Sequence, residues 1–130
     1  MKSAFLFLGA FCAFLGVGFG AFGAHALKVT LSPESLAVYQ TGVTYQMWHS
    51  LGLLGIGLLQ HQTPDSKLVP WAGWLMFIGI LLFSGSLYLL VLLDTPKFGM
   101  ITPVGGVCFL IAWLLICLSV NNNKPKNRYQ

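Results

Sequence analysis

From Ala4 to Ala24 the chain runs for 21 residues without a charge, AFLFLGAFCAFLGVGFGAFGA. At about 1.5 Å of rise per helical residue this is roughly 30 Å, the thickness of a bilayer's hydrocarbon core. In hydrocarbon every backbone N–H and C=O must be paired within its own segment, so such a run commits the chain to a helix. Gly9, Ala13, Gly16, Gly20 and Gly23 recur at intervals of 4, 3, 4 and 3 residues, leaving one narrow stripe of that helix nearly bare. A neighbouring helix can approach such a stripe closely, which in lipid supplies packing that hydrophobicity cannot. His25 and Lys28 are the first strongly polar side chains after Ser3.

The rest of the composition agrees. The 130 residues include 7 basic and 3 acidic side chains, and 56% are hydrophobic. An average soluble domain is about one quarter charged, and a water-facing surface cannot be built from so few charges. The net charge of +4 is therefore read by position, because basic residues near spans mark the cytoplasmic side. Nothing in the chain has the pattern of a nucleic-acid-binding motif. Cys12, Cys108 and Cys117 all fall in apolar runs without a C-x-x-C pair and read as buried structural thiols. Lys2 and the Ala24-His25-Ala26 triplet imitate a cleaved secretory signal, but that apolar region is about 7–15 residues long and this one is longer.

After Lys28, Ser32-Pro33-Glu34 reads as a helix start: a hydroxyl cap, a proline at the first helical position, and a carboxylate at the positive end of the dipole. Tyr39, Gln40 and Thr41 make the first part of this stretch polar, so a short amphipathic helical segment is expected near the headgroups, with the second span running from about 43 to 60. His61 to Lys67 is a proline-containing break, and residues 68–93 form a third uncharged span with Trp71 and Trp74 near its start. Asp94-Thr95-Pro96-Lys97 closes it. The fourth span is 101–120, with Gly105, Ala112 and Ser119 as a second small-residue stripe, and 121–130 is a basic tail. The expected class is thus all-α, a four-helix integral membrane bundle in one domain.

Four spans place both termini on one side. Lys2, Lys67, Lys124, Lys126 and Arg128 lie on that side and only Lys28 and Lys97 on the other, so the termini are expected in the cytoplasm. This orientation gathers His25, Tyr45, Gln46, His49, Ser84, Ser86, Tyr88 and Thr102 into the outer half. His49 and Ser86 each lie six or seven residues from the outer end of their spans, about 10 Å deep. Polar groups at such depth turn inward and find partners, so a polar core is expected there.

These residues also carry a resemblance. Gly20-Ala21-Phe22-Gly23-Ala24-His25-Ala26-Leu27, Tyr45-Gln46-Met47-Trp48-His49, Ser84-Gly85-Ser86-Leu87-Tyr88 and Ile101-Thr102-Pro103-Val104-Gly105-Gly106 resemble, in the same order, blocks of the family called domain of unknown function 423. Its members are small, transmembrane protein 256-like membrane proteins. The resemblance implies a multi-pass protein of the bacterial inner membrane and brings no activity, cofactor or substrate.

Three readings of the polar residues compete. Two histidines without a cysteine or carboxylate at ligand spacing do not make a metal or haem site, so neither a metal nor a cofactor is expected. The histidines either lock helices together or line a binding pocket or pathway for a small amphiphile, ion or proton. Ser84 and Ser86 lack a nucleophile-elbow pattern, and no enzymatic role is expected. Thr102-Pro103 with Gly105-Gly106 is either a broken helix lining a cavity or a proline-initiated helix packed closely on a neighbour. The expected function is a binding or transport module working as a homo-oligomer, or an accessory subunit of a larger membrane complex.

Overall fold

The computed structural model describes residues 3–122. Lys2 and the tail residues Lys124, Lys126 and Arg128, which carry most of the orientation argument, lie outside the described residues. The described chain is all-helical: α1 (Ala4–His25), a 3-10 turn (Leu27–Val29), α2 (Pro33–Gln62), α3 (Leu68–Gly79), a π-helical turn (Ile80–Ser84), α4 (Gly85–Leu92), a 3-10 turn (Pro96–Met100) and α5 (Thr102–Asn122). The π turn joins α3 and α4 into one rod, so the described residues make four long helices. Three stretches are long and apolar enough to cross a membrane: Ala4–Val29, Leu68–Leu92 and Pro96–Asn122.

The helix ends follow local chemistry. Ser3 caps α1 by accepting from the Leu6 N–H at 3.3 Å, and Ser32 caps α2 by accepting from the Ser35 N–H at 3.2 Å. Thr63 closes α2, its hydroxyl donating to the Leu59 carbonyl at 2.8 Å. The rod ends in a Schellman-type reversal. The Thr95 N–H reaches the Leu90 carbonyl at 3.0 Å, the Asp94 N–H points to the Val91 carbonyl, and Asp94 takes the left-handed conformation with φ 49°.

The sequence reading needs one correction here. No separate amphipathic segment precedes the second apolar run; α2 is one continuous 30-residue helix from Pro33. Tyr39 and Gly42 show why. They belong to the inward stripe Tyr39, Gly42, Gln46, His49, Leu53, Ile56, all buried and spaced 3, 4, 3, 4 and 3. Of the polar residues before Val43, Tyr39 therefore faces protein while Gln40 and Thr41 are exposed, and nothing breaks the helix at Gly42.

Side-chain contacts fix how the helices lie. Gly9 sits against Ser50 and Leu54, and Gly23 against Tyr39, so α1 and α2 run antiparallel. Met76 lies beside Gly52 while Ser84 bonds to Gly42, making the α3–α4 rod antiparallel to α2. Gly105 against Phe83 and Phe109 against Gly79 make α5 antiparallel to the rod. The helix with the most polar side chains thus touches α1, the rod and α5, and the rod in turn touches α1 through Phe5 against Gly73. The α2 stripe meets Phe5, Cys12, Val69, Ala72, Met76, Ile80 and Ala112 in an apolar cluster toward one end, and Leu27 and Val91 gather round Tyr39 toward the other.

Both small-residue stripes are spent on these contacts. A Cβ on Gly16 would come 2.5 Å from the Met47 sulfur, one on Gly23 2.5 Å from a Tyr39 ring carbon, and one on Gly9 2.8 Å from the Ser50 carbonyl oxygen. A Cβ on Gly20 would touch Val43 at 3.4 Å, and Ala13 is half-buried on the same stripe. On α5, Gly105, Ala112 and Ser119 are buried, and a Gly105 Cβ would lie 2.8 Å from the Phe83 Cα. The α1 stripe thus packs against α2 of its own chain.

Candidate functional site

The polar residues form three separate hydrogen-bonded groups around α2. In the first, the Tyr88 hydroxyl donates to Gln46 Oε1 at 2.6 Å and Gln46 Nε2 donates to the Cys12 carbonyl at 2.8 Å, tying α4, α2 and α1 together. Ser84 donates to the Gly42 carbonyl at 2.7 Å, and Tyr39 to the Phe19 carbonyl at 2.6 Å. Each side chain here reaches a carbonyl or amide on a different helix, the arrangement expected where water is scarce and an unpaired group is costly.

The second group joins α4 to the start of α5. Ser86 donates to the Phe83 carbonyl at 2.9 Å, so its oxygen is left to accept from the Thr102 hydroxyl at 2.5 Å. The π turn exposes the Phe83 region to α5, and Gly105, without a side chain, lets the α5 backbone come down on it. Thr102-Pro103-Gly105-Gly106 is accordingly a proline-initiated helix packed closely on its neighbour.

The third group is His49, which is only 5% exposed. Its Nδ1 lies 2.7 Å from the Tyr45 carbonyl, and its Nε2 lies 3.1 Å from the Trp113 indole nitrogen. A carbonyl only accepts and an indole N–H only donates, so Nδ1 carries the proton and Nε2 offers its lone pair. This is the neutral imidazole with both nitrogens used. A second proton on Nε2 would face the indole N–H, so charging the ring requires Trp113 to move. The Nε2 lone pair is equally closed to a metal, and among the described residues no three or more His, Cys, Asp or Glu converge. Phe109 stacks on the imidazole at a 3.5 Å centroid distance and Tyr45 at 5.9 Å.

The structure therefore unites Gln46, Tyr88 and Ser84 around one stretch of α2, pairs Ser86 with Thr102, and sets His49 apart. His25 does not join them. It is exposed at the end of α1, thirteen residues past Cys12, which at helical rise is about 20 Å along the axis from the Gln46 contact. Equating the exit of α1 with the entrance of the second apolar run misplaced it, because α2 begins a further ten residues earlier, at Pro33 rather than Val43. Trp113, Phe109, Ser50 and the Cys12 carbonyl were missed. Trp113 had a signal: tryptophans gather at membrane interfaces, and one eleven residues into α5 needs a buried acceptor for its N–H.

Among the described residues no buried side-chain nitrogen or oxygen lacks a hydrogen-bond partner. Open volume lies at several places on the outside of the bundle: a shallow hollow of about 710 Å³ against α1, lined by Ala10, Ala13, Phe14 and Gly18 among others, a smaller one of about 310 Å³ at the turn after α2, and two along the flank between α2 and α5. A groove of about 500 Å³ is lined by Tyr45, His49, Phe83, Gly106, Phe109 and Trp113 among others. A second hollow of about 520 Å³, lined by Trp48, Gly52, Gly55, Trp113 and Ile116 among others, continues along the same seam.

These features define a helical membrane protein with a hydrogen-bonded interior. The chain belongs to the family described as protein of unknown function (DUF423), whose model matches residues 19–106. A UPF0382 membrane protein of Staphylococcus saprophyticus is 50% identical over 114 residues, covering 88% of this chain and 93% of the relative. One from Bacillus subtilis is 48% identical over 115 residues, covering 88% of this chain and 94% of its own. No solved structure matches the chain.

Proposed function

We propose that this protein is a four-span bundle of the bacterial inner membrane with both termini in the cytoplasm, and that it works as a binding module through the flank between α2 and α5. The three apolar helices set the span, and α2, packed along them in antiparallel and parallel register, crosses with them. Gln46, His49 and Ser50 lower its hydropathy but face inward, as polar groups deep in a membrane must. The five-to-two bias of lysine and arginine sets the orientation. The relatives from staphylococci and Bacillus are named as membrane proteins, which supports the location.

One observation carries the choice of site. Every buried polar side-chain atom among the described residues is already paired, whereas the sizeable hollow beside His49 opens sideways. A conduit for an ion or proton needs polar groups with capacity to spare. Each interior group already holds a partner on the protein, which supports reading the polar core as a lock between helices rather than as a channel or an enzymatic site. The alternative, an accessory subunit of a larger complex, is favoured by a different surface. Phe7, Phe11 and Phe14 form an exposed stacked ladder on α1, with centroids 5.9 and 6.5 Å apart.

The mass of the intact particle, purified in mild detergent, separates the two. A binding module gives one or more 14.2 kDa chains with a small apolar molecule retained. Other polypeptides in fixed stoichiometry would replace that reading with the accessory-subunit one.

A further inference from the structure

The lining of the seam says what kind of molecule fits it, and this step rests on the lateral binding reading just given. No charged side chain lines either hollow. Both nitrogens of His49 are committed to Tyr45 and Trp113, so the imidazole offers no ion pair. The wall is built of rings: Tyr45 lies 4.5 Å from Phe83, and the His49 and Phe109 planes differ by 12°. Such a wall suits a flat ring, which gains from offset or edge contacts beyond its buried area. One polar group is left over. Tyr45 lines the groove and its hydroxyl makes no hydrogen bond among the described residues, and an unpaired hydroxyl is costly away from water.

The groove also has direction. It begins at Pro103, in the first turn of α5, and the second hollow carries it to Leu59 and Ile116. Tyr45 to Leu59 is fourteen residues of α2, about 21 Å of helix, enough to bed a long apolar tail. Gly55, whose side-chain position is open, keeps the floor of this lower part low, Gly52 lets Met76 and Trp113 pack against it, and Trp113 lines both parts.

We propose that the α2–α5 seam seats a neutral, flat-ringed amphiphile of the quinone type. Its ring lies against Phe83, Phe109 and His49, a ring carbonyl accepts from the Tyr45 hydroxyl, and its tail follows Gly52 and Gly55. A plain alkyl chain would leave the Tyr45 hydroxyl unpaired, and a phospholipid, whose ester carbonyl could accept from it, has no ring to lay against Phe83 and Phe109.

Two glycines permit a clean test. A Cβ on Gly106 would meet only Phe83, at 3.9 Å, and a Cβ on Gly55 would meet nothing within 4 Å, so Gly106→Leu adds bulk at the ring position and Gly55→Leu at the tail position, each from a Cβ with no close neighbour, and a melting temperature like that of the parent identifies the folded variants. The protein, with Trp71 and Trp74 changed to Phe so that Trp48 and Trp113 report, is placed in phosphatidylcholine nanodiscs and titrated with decyl-benzoquinone. Saturable quenching is expected, weakened about tenfold or more by either leucine and about threefold to fivefold by Tyr45→Phe, which removes only the hydrogen bond. Quenching that rises in proportion to the quinone in the bilayer, equally in Gly106→Leu and Tyr45→Phe, overturns the proposal. If decyl alcohol displaces the quinone at equal concentration, the ring specificity is wrong while the lateral site stands. If no probe gives a saturable signal that the leucines reduce, the lateral site falls too.

Discussion

At the scale of single residues, the chemistry centres on a histidine whose two neighbours decide its state. Because Trp113 can only donate and the Tyr45 carbonyl can only accept, His49 is held as one neutral tautomer. Trp113→Phe keeps the ring and removes the donor, stranding the Nε2 lone pair. The expected loss is about 1–3 kcal/mol of stability, read from unfolding in mixed micelles. His49→Phe with Trp113→Phe should lose less than the two single changes added together, because neither partner is then stranded. Additive losses would show that the pair is not coupled. Sequence reasoning found His49 but not Trp113, since nothing in one dimension says that residues 64 apart face each other. It also grouped His25 with His49 from an assumed common depth, and the length of α2 undoes that grouping.

At the scale of helices, the glycines divide into two kinds that the sequence cannot tell apart. Gly9 and Gly105 lie against the backbone of a neighbouring helix, whereas Gly18 and Gly55 face open space. Gly105→Ala must push α5 away from Phe83 and should cost about 1–3 kcal/mol. Gly18→Ala meets nothing and should be neutral or gain up to about 1 kcal/mol from helix propensity. Thermal melts of the two variants check the contrast, and equal effects would contradict the packing described. The stripe at 4, 3, 4 and 3 spacing was legible because spacing is all that a helix face requires. The π turn at Ile80–Ser84 was not, because ILLFS carries no proline or polar cluster to announce it. Asp94 is also conditional on structure: its φ of 49° suits glycine, so Asp94→Gly should raise stability by about 0.5–1 kcal/mol.

For the molecule as a whole, charge-free runs and the prolines between them made the all-helical class and the family readable from the sequence. What stayed hidden was which helix ties the others together. Hydropathy favours α1, the α3–α4 rod and α5, yet α2 is the element that shares buried hydrogen bonds with each of them. Orientation can be tested in a cysteine-free background on intact cells. A membrane-impermeant maleimide should label Lys28→Cys and spare Lys67→Cys, and the reverse pattern would invert the topology. The central claim is that the polar interior is a closed lock and that binding happens on the flank. Proton flux into liposomes carrying the purified protein, followed with an entrapped pH-sensitive dye, tests it most directly. A flux equal to that of protein-free liposomes, and unchanged by His49→Leu, is predicted; a flux above that background which His49→Leu abolishes would contradict it.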